Sequence, residues 1–184
     1  MATELLQSCD FALTKIKKLY MSSRQLSGDV ISFPVEYDTI SGSSDSIVRV
    51  NVFDTDAGYC IIGGQTLEII EISVFSEFMT FTEEYQENKQ GKTYVKKLEF
   101  QLPLVNYTAN AALKEFLFTA EGQFAVCKAV AFIEDENSKL WIVGERIPLI
   151  LQSGMELGIS TENYYKLSFQ SIGYNRVRNY QIQA

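Results

Sequence analysis

The sequence predicts a mainly β domain with one helix, built as a β-sandwich or flattened barrel from which a long hairpin projects. Three observations predict it. Polar and apolar residues alternate with a period of two in several separate stretches. Gly-, Ser-, Asn- and Asp-rich segments punctuate those stretches as turns. Only 108–121 carries an apolar stripe at helical spacing. The 184 residues suit one domain over 1–184, and a hydrophobic content of 46 % with 12 Phe, 10 Tyr and one Trp supplies its core. No internal repeat of useful length is visible.

In chain order, residues 1–30 read as an N-terminal arm or edge strand. Ile16-Lys17-Lys18-Leu19-Tyr20-Met21 is its strand-like part, with paired lysines of the kind that discourage stray edge pairing. Asp38 to Ser46 is polar loop material. Ile47 to Phe53 alternates, Val48, Val50 and Val52 against Arg49 and Asn51. Asp54 to Gly58 turns, Tyr59 to Ile62 is a short strand, and Gly63-Gly64 turns again. Thr66 to about Tyr85 is a long extended segment, and Gln86 to Lys92 is the tip of the hairpin 75–104. Its return arm, Thr93 to Leu104, sets Tyr94, Leu98, Phe100, Leu102 and Leu104 against Lys97, Glu99 and Gln101. Arms longer than the usual five or six residues suggest projection beyond the domain.

The helix 108–121 has Thr108 as N-cap, Leu113, Phe116, Leu117 and Ala120 on one face, and Gly122 just past its end. Phe124 to Ile133 is apolar on both faces and therefore central. Glu134 to Ser138 turns the chain into the strand Leu140 to Gly144, whose Trp141 reads as core and not as a carbohydrate platform. Residues 145–162 read as irregular. A final strand points Tyr165, Leu167 and Phe169 inward, with Lys166, Ser168 and Gln170 outward.

Composition excludes several function classes. Sixteen Lys and Arg against 23 Asp and Glu give a net charge of −7 and a pI near 4.7. A protein that grips a nucleic-acid backbone needs a clustered basic surface instead. Histidine is absent, which removes the commonest general base and metal ligand together. Cys9, Cys60 and Cys127 are far apart and form no CxxC pair, so they read as small buried thiols in a reducing compartment. Met1-Ala2-Thr3-Glu4 does not open a signal peptide, and no apolar run approaches the roughly 18 residues of a membrane span. The expectation is a protein made in a cytoplasm and not exported by a signal peptide, with no membrane partner.

Individual motifs offer little chemistry. Asp54-Thr55-Asp56-Ala57-Gly58 hints at calcium, but an EF-hand loop needs Gly sixth and Glu twelfth, and here Gly is fifth and Gln65 twelfth. It reads as an Asp-stabilised turn. Gly63-Gly64 lacks the third glycine and the helix of a dinucleotide site. Asn106-Tyr107-Thr108 matches a glycosylation sequon but reads as the lead-in to the helix cap. Glu83-Glu84 with Glu87, and Glu134-Asp135-Glu136, could pair as glycosidase carboxylates, yet both sit at hairpin ends where solvated charge is the default. A two-carboxylate hydrolase would require two acids converging in a cleft with one perturbed pKa. No catalytic residue, metal ligand or cofactor is assigned.

Several segments together carry a resemblance. Phe78-Met79-Thr80-Phe81-Thr82-Glu83-Glu84 leads through a Gly-tipped hairpin to Lys97-Leu98-Glu99-Phe100-Gln101-Leu102. Phe132 to Gly144 and Asn163-Tyr164-Tyr165-Lys166-Leu167-Ser168-Phe169 follow. Over about 66–172 this order resembles the tail-tube-like structural proteins of tailed phages, particularly those infecting Bacteroidetes, and Ile16 to Tyr20 is compatible with it. The resemblance implies a β-sandwich flanked by a helix, a hairpin reaching a neighbouring subunit, and stacking into a ring or tube of a tail or neck. Its implied partners are copies of itself, adjacent tail or neck proteins, and DNA that passes through the lumen without specific binding. The region 145–162 lacks the Gly- and Thr-rich composition expected there. Subunit-interface or lumen candidates are Glu83, Glu84, Tyr85, Glu87, Lys89, Lys92, Tyr94 and Lys97. The alternative is a β-sandwich ligand-binding module, a lectin or adhesin, which requires exposed aromatics clustered on one sheet face.

Overall fold

The computed structural model describes residues 11–13, 15–23, 25–26, 29–30, 37–39, 46–72, 76–89, 91–103, 128–152, 156–158 and 164–182. The expected helix 108–121, the sequon at 106–108, Cys9 and Cys127 lie outside the described residues. Strands in the first half are β1 (Phe11–Leu13), β2 (Ile16–Ser23), β3 (Gln25–Leu26), β4 (Asp29–Val30), β5 (Tyr37–Thr39) and β6 (Ser46–Val50). Then come β7 (Val52–Asp54), β8 (Tyr59–Ile62), β9 (Gln65–Glu68), β10 (Ile70–Glu71), β11 (Met79–Asn88) and β12 (Gly91–Pro103). The second half holds β13 (Lys128–Asp135), β14 (Leu140–Val143), β15 (Leu149–Leu151), β16 (Glu156–Gly158), β17 (Tyr164–Gly173) and β18 (Arg178–Ile182). The protein is mainly β with open sheets. Among the described residues, helix is confined to a single 3-10 turn, Ser76–Phe78.

β13 organises the rest. One edge pairs with β2, and the other pairs with β14 over Ala131–Glu134 and with β15 over Lys128–Ala129. The sheet therefore forks along a single strand. Through β15 one arm continues to β17, β12, β11 and β1; through β14 the other continues to β18, β6 and β5. β18 runs parallel to β6, and its residues 180–182 face 48–50. The first arm curls, because the segment carrying β1 and β2 borders β11 at Phe11–Leu13 and β13 from Ile16 onward.

Two apolar clusters result, one on each face of β13. Ala129, Ala131 and Ile133 point into the first, with Leu19 and Met21 of β2 and with Phe81, Leu98, Phe100, Leu167 and Phe169 of the curled arm. Val130 and Phe132 point into the second, with Tyr20, Val48, Val50, Ile142, Tyr180 and the residues of β8 and β9. This is the two-sided burial that the unbroken apolar run over 124–133 predicts for the described part of that segment. Cys60 is fully buried in the second cluster, and burial pushes its thiol up to about 12. Ile16 and Leu19 face the same cluster although their spacing of three should separate them. A bulge explains it: Glu134 pairs with Lys18 but Asp135 with Ile16, so Lys17 is the extra residue.

The structure corrects several sequence expectations. β2 is not simply an edge, because β10 pairs with it at Tyr20–Met21 on the side away from β13. The stretch 47–53 is two strands in different sheets, bent at Asn51, whose amide donates to Ile61 O at 2.8 Å. Part of the supposed loop at 38–46 is paired as β5 and β6. Thr66 to Tyr85 is likewise broken into β9, β10 and the start of β11. Residues 145–162 include β15 and β16, both held by β17. β18 was not expected at all. Most consequentially, the hairpin does not project along its length. β12 is paired with β17 from Tyr94 to Pro103, and Met79, Phe81, Leu98 and Phe100 supply the first core. Only the tip beyond Tyr85 and Tyr94 runs past the end of β17.

Turn chemistry follows the sequence closely. Gly63 and Gly64 take φ of 54° and 77°, the left-handed pair that a tight β8–β9 hairpin needs. Asp54 Oδ1 accepts from the amides of Asp56 and Ala57 at 3.1 and 2.9 Å, the expected Asp-stabilised turn. Asp135 anchors the β13–β14 turn. Its Oδ1 accepts from the amides of Asn137 and Lys139 at 2.8 and 2.9 Å, and its Oδ2 from Trp141 Nε1 at 3.0 Å. Trp141 is half-buried, with its ring 4.8 Å from that of Phe11.

Two predictions follow from this frame. At Gly144 φ is 95° and an added Cβ would lie 2.6 Å from the carbonyl oxygen of Ala129, whereas at Gly64 it would meet nothing within 4 Å. Gly144→Ala should lower urea-unfolding stability well beyond the roughly 1–2 kcal/mol expected for Gly64→Ala, whose penalty is conformational only. Burial raises the Asp135 carboxyl, but donation by Trp141, Lys139 and Asn137 outweighs it and leaves the pKa below the usual value. Its stabilisation is present above the unfolded value of about 3.9 and is lost as pH falls through the folded value. In acid titration of stability, Asp135→Asn should remove that component and cost about 1–3 kcal/mol at neutral pH.

Candidate functional site

The β11–β12 hairpin carries every candidate interface residue, and its register sorts them. On its inward face the cross-strand pairs run Phe81 with Leu98, Glu83 with Lys96, Tyr85 with Tyr94, and Glu87 with Lys92. From core to tip this face changes from apolar to ionic, to aromatic, to solvated charge. Strand periodicity fixes this order, since residues two apart share a face.

Glu83 is not a lumen or solvent-facing residue, contrary to expectation. It is fully buried; its Oε1 accepts from Arg176 Nε at 3.2 Å and its Oε2 from the Val177 amide. The reason is parity: Glu83 shares the inward face of Met79 and Phe81, while Glu84 points outward and is exposed. Tyr85 is half-buried and donates its hydroxyl proton to Glu87 Oε2 at 3.1 Å. Its ring lies 5.7 Å from that of Tyr94, over which the Arg176 guanidinium sits at 5.8 Å. Glu87, Lys89 and Lys92 are exposed at the tip. Lys97 is exposed on the outer face and pairs with Glu99 at 3.1 Å, a surface contact of small energetic weight.

Sequence reasoning missed the residues beneath the tip. Lys96 is 6 % exposed and Glu145 3 % exposed. Burial lowers the Lys96 ammonium, opposed by the charges of Glu145 and Glu83. Burial raises the Glu145 carboxyl, opposed by its own backbone amide and by Lys96, Arg178 and Arg146. Ser171, also buried, donates to the Ile147 carbonyl at 2.9 Å beside them. Inward-facing residues of β11, β12 and β17 and the fork after Gly144 thus meet in a charged end-plug of the first core. The signal was available: counting by twos from Leu98 places Lys96 on the buried face.

Glu83 and Glu145 do share one lysine, and Glu145 is perturbed, which touches the condition set for a hydrolase. Both oxygens of Glu83 are committed to Arg176 and Val177, and Glu145 is sealed in the fork. Glu83 thereby joins β11 to the Tyr174–Val177 connection. Among the described residues no group of three or more His, Cys, Asp or Glu is disposed to hold a metal. No family model, curated protein or solved structure matches the chain.

Removing the Glu83 charge should expose the value of this tie. Glu83→Gln removes the charge to which Arg176 Nε and the Val177 amide donate and should cost about 1–3 kcal/mol in urea unfolding. Glu84→Gln, one residue away on the exposed face, should stay within about 0.5 kcal/mol of the parent.

Proposed function

We propose that this chain is a virion structural protein that self-assembles into a ring or tube in the tail or neck of a tailed phage, lining part of the DNA channel. The curled first arm and the second layer beneath it support the β-sandwich or flattened-barrel reading that accompanies this function. The observation that carries the proposal is the hairpin tip. Among the described residues, β1 pairs with β11 only at Phe81–Glu83, and β17 pairs with β12 only up to Tyr94. Among the described residues, the outer edges past those points pair with no strand and differ in charge, with Glu84 and Glu87 on β11 and Lys92 on β12.

Edges of this kind pair with other chains unless they are covered. Two copies related by a two-fold axis through β11 would bring glutamates together, which like-charge repulsion disfavours. Copies arranged side by side in one sense instead set the β11 edge of one against the β12 edge of the next. That contact is heterologous, and it closes into a ring when the rotation allows. Tyr85, Tyr94 and Arg176 beside the edges are residue types favoured at interfaces. The net charge of −7 suits a wall past which phosphate slides without binding. A lectin or adhesin has less support, since Tyr174 is the lone exposed aromatic among the large exposed apolar residues described.

Sizing chromatography and electron microscopy of purified protein at high concentration test the proposal. Rings or short tubes are expected for the parent chain. Glu87→Lys should shift the population toward monomer, and the exchange Glu87→Lys with Lys92→Glu should restore assembly. Monomers alone from the parent, together with normal virion assembly after deletion of residues 86–92, would sink it.

A further inference from the structure

The charged end-plug has a second property, concerning how firmly the hairpin is held. Glu83 comes from β11, Lys96 from β12, Ser171 from β17, Glu145 and Arg146 from the fork, Arg176 from the β17–β18 connection and Arg178 from β18. Below this level the hairpin is fixed by fully buried Phe81, Leu98 and Phe100. Above it, Tyr85 and Tyr94 are half-buried and Glu87 and Lys92 exposed, so little apolar area resists opening of the tip. Retention of the upper hairpin then depends on ionic groups taken out of water, whose mutual attraction need not exceed their lost hydration.

We propose that the Glu83–Lys96–Glu145 cluster is a built-in release point, from which the hairpin end from Glu83 to Lys96 opens locally while β2, β13 and β14 stay packed. Opening returns Lys96 and Glu145 to water and leaves both apolar clusters intact.

The closed state holds the Glu145 carboxyl above its ordinary value because of burial, so protons bind the closed state more tightly than the open one. The contribution of Glu145 to closure is therefore full below the ordinary carboxylate value and is lost as pH rises through its closed-state value. Lys96, lowered by burial, acts in the opposite sense: its contribution to closure is lost as pH falls through its closed-state value.

Native-state amide hydrogen exchange, corrected for intrinsic rates, reads the opening directly. Amides of 84–95 are expected to exchange through an opening constant larger than that of Phe132, and to open more as pH rises through the closed-state value of Glu145. Glu145→Gln should abolish that rise and leave an opening constant smaller than the parent's above that pH. Lys96→Met should also increase protection of these amides. Exchange of the hairpin end only together with Phe132 overturns the proposal, as does an unchanged pH dependence in Glu145→Gln. Lower protection in both variants, or failure of both to fold, identifies the cluster as a brace and overturns it equally.

Discussion

The whole arrangement depends on one constraint, that β13 is apolar on both faces and must be covered on both. A strand with a single buried face can end a sheet packing problem with one layer. Val130 and Phe132 on one side and Ala129, Ala131 and Ile133 on the other demand two. The chain meets that demand by forking the sheet at Gly144, sending β15 toward the curled arm and β14 toward β18 and β6. The bulge at Lys17 serves the same end, bringing Ile16 and Leu19 to one side.

The charged end-plug is where this two-layer solution meets its limit. Inward positions of β11, β12 and β17 continue past the reach of the apolar filling, and the residues occupying them change from Phe and Leu to Glu, Lys and Ser. The plug ties three parts of the chain together without filling volume as a side chain such as Phe132 does. The hairpin is consequently two objects in series, a core component below Glu83 and a surface device above it. The upper part can rearrange without disturbing the packing of the lower part.

Much of this was legible in the sequence where one physical rule governs one segment. The alternation over 94–101 and 166–170, the double apolar face before Glu134, the Gly63-Gly64 turn and the Asp54 turn all follow from local sterics and periodicity. The errors have a common cause, which is that pairing partners are not local. Asn51 divides a run that alternates well because residues 48–50 face β18 and residues 52–54 face β8. β18 offers only Tyr180 and Ile182 as apolar residues and exists because β14 and β6 flank it. Hairpin length suggested projection, but β17 lies alongside nearly the whole return arm. The charged residues differ for a simpler reason: Glu83 reads by type as a surface residue and Lys96 draws no notice, yet parity along the strand places both inside.

The position of β18 between β14 and β6 bears on the order in which the protein can be made. Residues 48–50 leave the ribosome long before their parallel partner at 180–182, so between those points the second cluster lacks the strand that joins β14 to β6. During that interval Val48, Val50, Phe132 and Ile142 lack the cover that Tyr180 provides, while the curled arm can already close around the first cluster once β17 has emerged. Pairings this distant in sequence are slow to form, because a long chain segment must be gathered before they contribute. Until residues 180–182 emerge the nascent chain carries an apolar face, and shielding by a chaperone would act on that face first.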